Sequence, residues 1–305
     1  MHISVLLNQC IDNLNLQDNS IIVDCTLGRA GHSKEILKKI SNGYLYAFDQ
    51  DIEAIENSKN VLNSVGTNYE IIKSNFVNLK EELKKRNVEE VDGVFFDLGV
   101  SSPQLDEKDR GFSFHQDAIL DMRMDKDNPL TAKIVVNTYD YSKLKDIFTR
   151  YGEEKYASSI ARNIIKEREI KEINTTLELV SIIQRSVPFK YSREKHPARK
   201  VFQAIRIEVN DELNVFESSL KQALKLLKIN GRVCVITFHS LEDKICKKLF
   251  NEVSKVDPNL KNMPIIPVEY MPNYKIINVI EPSAKEIEEN PRSRSAKLRV
   301  IERVK

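Results

Sequence analysis

Cysteine is scarce in this chain, and the four present, Cys10, Cys25, Cys234 and Cys246, lie far apart. With no Cys-x-x-Cys spacing, the sequence offers neither a zinc ribbon nor a redox pair. Cys25 and Cys234 fall in apolar, strand-like runs, where a thiol serves as a small buried hydrophobe. The five histidines, His2, His32, His115, His196 and His239, show no His-x-x-x-His pairing, so no built-in metal is expected. A run of eighteen apolar residues is missing, as is a basic segment followed by an apolar one near the start. No membrane span or export signal is therefore read, and a cytoplasmic location is expected. Excess charge of one sign is missing too: 47 basic against 45 acidic residues give a net +2, so a nucleic-acid surface has to be local. No internal repeat or low-complexity tract is found. What remains is 305 residues with 41% apolar content, enough to bury a core in one large domain or two.

The first hundred residues alternate strand and helix signals: strands over 20–25, 44–49, 69–73 and 91–97, with helical stretches over 33–40, 52–62 and 79–86. Short β-branched runs separated by helical segments predict right-handed βαβ units and a parallel, doubly wound sheet. From about Leu105 to Lys200 the strands disappear. Ala157, Ile160, Ala161, Ile164 and Ile165 follow the i, i+3, i+4, i+7, i+8 rule, and 177–187 is a second apolar helical stretch. The alternation resumes with a helix near 211–227, a strand over 232–238 and a helix over 240–253. A loop with Pro258, Pro264, Pro267 and Pro272 precedes two last strands, 274–280 and 298–304, read as a hairpin closing the sheet. The expected organisation is a Rossmann-like α/β domain in two parts, 1–104 and 201–305, split by an all-helical insertion over 105–200.

Chemistry concentrates where strands end. The apolar run Val91 to Phe96 stops at Asp97-Leu98-Gly99-Val100-Ser101-Ser102-Pro103-Gln104-Leu105-Asp106, and in parallel sheets ligands sit beyond such carboxyl ends. The strand at 20–25 runs into Asp24-Cys25-Thr26-Leu27-Gly28-Arg29-Ala30-Gly31, a loop-to-helix register that lets a nucleotide approach backbone, with Ala30 tolerable there if its φ is negative. Asp49 ends the next strand 21 positions after Gly28, close to the spacing at which a carboxylate binds ribose hydroxyls; the alternative is a cap on the following helix. Phe76, after the third strand, is placed to stack on adenine. Such a loop plus acid also fits a nicotinamide oxidoreductase, but the third helix-packing glycine is missing. Asp24, Asp49 and Asp97 suit a phosphate-free sulfonium cofactor better.

On the substrate side, Asp97 is a candidate acceptor for amino protons, and His239, ending the next strand, is a second polar group at the same edge. The alternative for His239 is a histidine satisfied by Glu242 or Asp243. Two basic stretches stand out. One holds Lys190, Arg193, Lys195, Arg199, Lys200 and Arg206, interleaved with Phe189, Tyr191 and Phe202; the other holds Arg292, Arg294, Lys297, Arg299, Arg303 and Lys305. Phosphate contacts with interleaved stacking are what an RNA surface requires, although a charge run also serves as a solvated face.

The decapeptide at Asp97 resembles, nearly letter for letter, the hallmark of the MraW/RsmH family. Further matches run in the family's order: His2 to Leu7, Leu27 to Ser33, Arg110 to Phe114, Leu120 to Asp125, Tyr151 to Glu154, His196 to Ala198, Phe202 to Ile207, Phe238 to Asp243 and Asn290 to Ser295. The resemblance implies a class I S-adenosylmethionine-dependent methyltransferase acting on N4 of a cytidine, customarily numbered 1402, in the decoding region of 16S rRNA of the small ribosomal subunit. It implies neither a DNA nor a membrane partner. It places S-adenosylmethionine contacts on Ala30, Gly31, His32, Asp49, Phe76, Asp97 and Gln104, although Gly is common where Ala30 stands. The Asp97-Leu98-Gly99-Val100 loop departs from the Pro-Pro-aromatic loop of DNA amino-methyltransferases. A non-enzymatic rival is an RNA-binding ribosome assembly factor with a vestigial pocket.

Overall fold

The computed structural model describes residues 4–194, 196–256, 260 and 267–305. The chain divides into two compact units, Met1–Gly99 with Leu213–Lys305, and Val100–Glu212. The first is built on seven strands: β1 Ile21–Asp24, β2 Tyr44–Asp49, β3 Tyr69–Lys73, β4 Val91–Asp97, β5 Leu227–Thr237, β6 Tyr274–Ile280 and β7 Lys297–Arg303. Their order in the sheet is β3-β2-β1-β4-β5-β7-β6, with only β7 running against its neighbours. Because successive side chains point to opposite faces, β4 feeds both sides of the sheet. Val94 and Phe96 join Phe216, Leu220 and Phe250 on one face, and Phe95 joins Leu6, Cys10 and Ile36 on the other. A central strand buried on both sides needs this continuous apolar run. β1 and β4 are adjacent although β2 and β3 intervene in the chain, so the carboxyl ends of β1 and β4 flank the switch point where α/β sheets bind ligands.

β6 and β7 do pair antiparallel, yet they are not the tight hairpin expected. A helix, Ala284–Glu289, and a 3-10 segment, Pro291–Ser295, lie between them, and β7 slots in between β5 and β6.

The second unit is helical: Ser102–Asp106, Ala132–Thr138, Tyr141–Arg150, Ala157–Ile170, Thr176–Arg185, Phe189–Glu194 and Ala198–Asn210. The last of these carries the unit past the boundary expected at Lys200. Its Val201, Phe202, Ile205 and Val209 lie in the same apolar core as Leu144, Ile160 and Ile183, so burial and not composition sets the limit. Helix starts are sequence-encoded: Asp140 and Thr131 accept N–H bonds from Lys143 and Ile134, and Thr175 with Glu178 forms a capping box. Glycine is obligatory at Gly111, where φ is +70° and a Cβ would stand 2.3 Å from the Ile119 carbonyl oxygen. No helix among the described residues is long and apolar enough to cross a membrane.

Candidate active site

The loop after β1 is fixed by carboxylates. Asp24, fully buried, accepts the Thr26 N–H at 2.9 Å and the Ser33 hydroxyl at 2.6 Å. Asp49 accepts the Gly28 N–H on one oxygen and the Asp51 N–H on the other, both at 2.9 Å. The cap on the helix Ile52–Asn63 is Asp51, which accepts the Glu53 N–H, so Asp49 is not the helix cap. Burial pushes the Asp49 acid up to about 6. The conditional tolerance of Ala30 fails. Its φ is +58°, so a fully buried alanine occupies the left-handed region, a strain of about 1 to 2 kcal/mol for a side chain with a Cβ. Glycine's frequency at this position has its reason there. Gly31 opens the helix Gly31–Lys39, and a Cβ on it would meet Ser4 Oγ at 1.9 Å.

His32, in the first turn of that helix, is 6% exposed; its Nε2 lies 3.0 Å from the Val5 carbonyl and its ring packs on Phe95 at 4.5 Å. Its Nδ1 faces Asp97 Oδ2 at 3.6 Å. Asp97 donates its backbone N–H to Thr26 Oγ1 at 2.7 Å, which ties the end of β4 to the loop after β1. Its Oδ1 is sealed from solvent and has no hydrogen-bond partner, although the side chain as a whole is 27% exposed. Burial first, then the charges of Asp24 and Glu242, push the Asp97 acid up to about 8. Beyond β3, Asn75 accepts the Val77 N–H, and the half-buried Phe76 meets Phe96 edge-on at 5.8 Å.

His239 follows β5. Its Nε2 is 3.1 Å from Glu242 Oε1, and His239 with Glu242 forms the capping box that opens the helix Ser240–Ser254. Glu242 accepts the N–H groups of Phe238 and His239, and Asp243 is held by Arg299 through two bonds. Thus Ala30, Gly31, His32, Asp49, Phe76, Asp97 and His239 share the carboxyl edge of one sheet. Glu242 was expected only as a partner for His239, and Thr26 only as a member of the loop, not as its tie to β4. The His-x-x-Glu spacing of a capping box signals Glu242; nothing local signals Thr26, because its partner is 71 positions away.

In the helical unit, Gln104 is 7% exposed and accepts the Ser101 N–H at 3.0 Å. Lys190, Arg193 and Arg199 are exposed, Lys200 donates to the Glu153 carbonyl, and Lys195 lies outside the described residues. The aromatic interleaving needs correction. Phe202 is core, and Tyr191 donates its hydroxyl to Glu154 at 2.8 Å, whereas Phe189 is 78% exposed with Arg193 5.9 Å from its ring. In the second basic stretch, Arg299, Lys297 and Arg303 are paired with Asp243, Glu281 and Glu90, as Arg206 of the first is with Glu212; Arg292 and Arg294 are exposed. Among the described residues no group of three or more His, Cys, Asp and Glu is arranged to hold a metal.

A 3-2-1-4-5-7-6 sheet with one reversed strand, and acids crowded at its switch point without a counter-charge, defines a class I S-adenosylmethionine-dependent methyltransferase. The chain belongs to the MraW methylase family, whose model matches residues 1–304. It is 51% identical over 307 residues to the ribosomal RNA small subunit methyltransferase H of Exiguobacterium sibiricum, covering 100% of this chain and 98% of that protein. It is 49% identical to the protein of the same name from Finegoldia magna, covering 99% and 98%. A solved rRNA methylase from Streptococcus thermophilus is 12% identical, with a TM-score of 0.47 and full coverage of both chains. The family decides against a nicotinamide oxidoreductase.

Proposed function

We propose that this methyltransferase acts on small-subunit ribosomal RNA and moves the methyl group of S-adenosylmethionine to N4 of the decoding-region cytidine. The observation that carries the reading is Asp97: a half-buried carboxylate at the switch point, with one oxygen sealed from solvent and unpartnered, calls for a cationic ligand and an amino-group donor. S-adenosylmethionine supplies an electrophilic methyl on a sulfonium centre. In this reading the free lone pairs of Asp49 receive the ribose hydroxyls and Phe76 covers the adenine. Ala30, Gly31 and His32 form the wall next to the sulfonium end, and Gln104 keeps the cofactor contact that the family resemblance implies. Asp97 holds the amino group so that its nitrogen lone pair aims at the methyl carbon. His239, at the carboxyl end of β5, is the second polar group for the base. A base within folded RNA has to be unstacked to reach such an edge. Lys190, Arg193, Arg199 and Lys200 are assigned phosphate contacts, and Arg292 and Arg294 a separate set.

Asp49→Ala is expected to weaken S-adenosylmethionine binding by 10-fold or more in calorimetry, since charge-assisted bonds are worth roughly 1.5 to 3 kcal/mol each. It is also expected to lower the melting temperature, because the Gly28 and Asp51 N–H groups lose their acceptor. Unchanged affinity in a folded variant would leave Asp49 a loop brace only.

Methylation at C5 is the chemistry to separate from N4. It needs a thiolate to attack C6, and all four cysteines are free, buried thiols. Burial pushes Cys10, Cys25 and Cys246 well up and Cys234 to about 12, so none is a thiolate at neutral pH. The test is turnover on unmodified small subunits whose cytidines carry tritium at C5, with mapping of the methylated nucleoside. N4-methylcytidine without tritium release is expected. Stoichiometric release would overturn the reading, and binding with no methylation at all would favour the assembly factor.

A further inference from the structure

His32 is placed by the family resemblance among the cofactor contacts, but its side chain is committed to protein. The Val5 carbonyl holds Nε2, and that segment is itself anchored where the Leu6 N–H meets Glu286 Oε1 at 2.6 Å. An acceptor at Nε2 puts the neutral ring's proton there, which turns the Nδ1 lone pair toward Asp97. A neutral imidazole facing a carboxylate 3.6 Å away is unfavourable until one proton is placed between them. Separations of this kind close when substrate binds.

We propose that His32 is a positioning residue that makes Asp97 a proton acceptor, the two side chains together taking up the proton released when the amino nitrogen is methylated. The proposal rests on the amino-methylation reading. The nitrogen gives its lone pair to the methyl carbon as that carbon leaves sulfur, whose electron pair stays behind. The surplus proton on nitrogen passes to Asp97 Oδ2 and is shared with His32 Nδ1, so the pair goes from one negative charge to none. Product release exposes it, and water removes the proton. The remaining surroundings favour uptake: Asp24 on β1 and Glu242 on the helix Ser240–Ser254 are negative, Cys10 on the helix Leu7–Asn13 is a neutral thiol, and Thr26 offers only its hydroxyl. The sealed, unpartnered Asp97 Oδ1 leaves the ionised carboxylate poorly solvated, with the same consequence.

Two variants split the roles of the ring. His32→Gln keeps a donor for Val5 and loses the nitrogen facing Asp97; His32→Asn keeps an amide near Asp97 and loses the tether. In both, the acid limb of the kcat profile is expected to move down by about one pH unit, the scale of a coupled pair. In the protein without cofactor, nitrogen NMR of His32 is expected to show the Nε2–H tautomer at high pH and a protonation midpoint that falls by about one unit in Asp97→Asn. A His32 midpoint unmoved by Asp97→Asn overturns the proposal, as does a raised KM with an unmoved acid limb, or full restoration of the native profile by asparagine. Methyl found on an atom other than N4 overturns the functional reading instead, and the titration of the cofactor-free protein is read independently of it.

Discussion

Asp97→Asn is expected to reduce kcat by about 10²- to 10⁴-fold, the range for losing a positioned proton acceptor, while S-adenosylmethionine affinity falls less. Single-turnover methylation together with calorimetry separates the two quantities, and equal losses in both would make Asp97 a binding group only. Stability is expected to move the other way. The folded protein holds the Asp97 proton more tightly than the unfolded chain, since its acid is raised from 3.8 to about 8. That contribution is complete below about pH 4, the unfolded value, and is lost as pH rises through 8. Asparagine is neutral throughout, so the variant without cofactor should melt above the native protein at pH 8 and level with it at pH 4. Asp24 and Asp49 are raised too and add to this loss, whereas Glu178 and Asp243, held below their ordinary values by Lys171 and Arg299, act in the opposite sense. A gap between variant and native melting temperatures that does not widen from pH 4 to pH 8 would contradict the buried-acid account.

Reversing charge at Lys190 together with Arg193 is expected to weaken binding of a small-subunit RNA fragment by about 100-fold at low salt and to reduce the slope of log affinity against log salt by about 1.4, two single-strand phosphate contacts' worth. Cofactor affinity should not change. Phe189→Ala should lower RNA affinity with the salt slope kept, as loss of a stacking surface does. Fluorescence anisotropy across a salt series reads both, and a native affinity insensitive to salt would remove the electrostatic role of this stretch.

The sheet was legible where local chemistry decides it. β1, β2 and β4 are β-branched or aromatic runs ending in Asp, and their alternation with helices leaves little choice of architecture. The place of β7 was not legible, because pairing between β5 and β7 joins residues some 60 apart and nothing within either strand names its neighbour. The helices Ala132–Thr138 and Tyr141–Arg150 escaped notice because they are short, 7 and 10 residues, although Leu144, Ile147 and Phe148 of the second share one buried face. Phe202 was misread for the opposite reason: Val201, Phe202, Ile205 and Val209 spell a helical core face, and the surrounding basic residues drew attention from it. At the site, the acids were visible from their strand-end positions. The Ala30 strain, the Thr26 tie and the orientation of His32 depend on backbone angles and distant partners, which composition does not carry.

The position of β7 also sets an order of events during synthesis. The helical unit is one continuous stretch of chain and can fold as soon as it leaves the ribosome, but β6 pairs only with β7, and β5 keeps an open edge until β7 arrives. At translation rates of about 5 to 20 residues per second, β5 waits roughly 4 to 15 seconds for its neighbour. During that time the edge of Val233, Val235 and Ile236 is uncovered on one side, a strand edge of the kind that recruits foreign strands. The nascent protein thus carries an open strand edge through the interval between its fifth and seventh strands, on a half-built sheet.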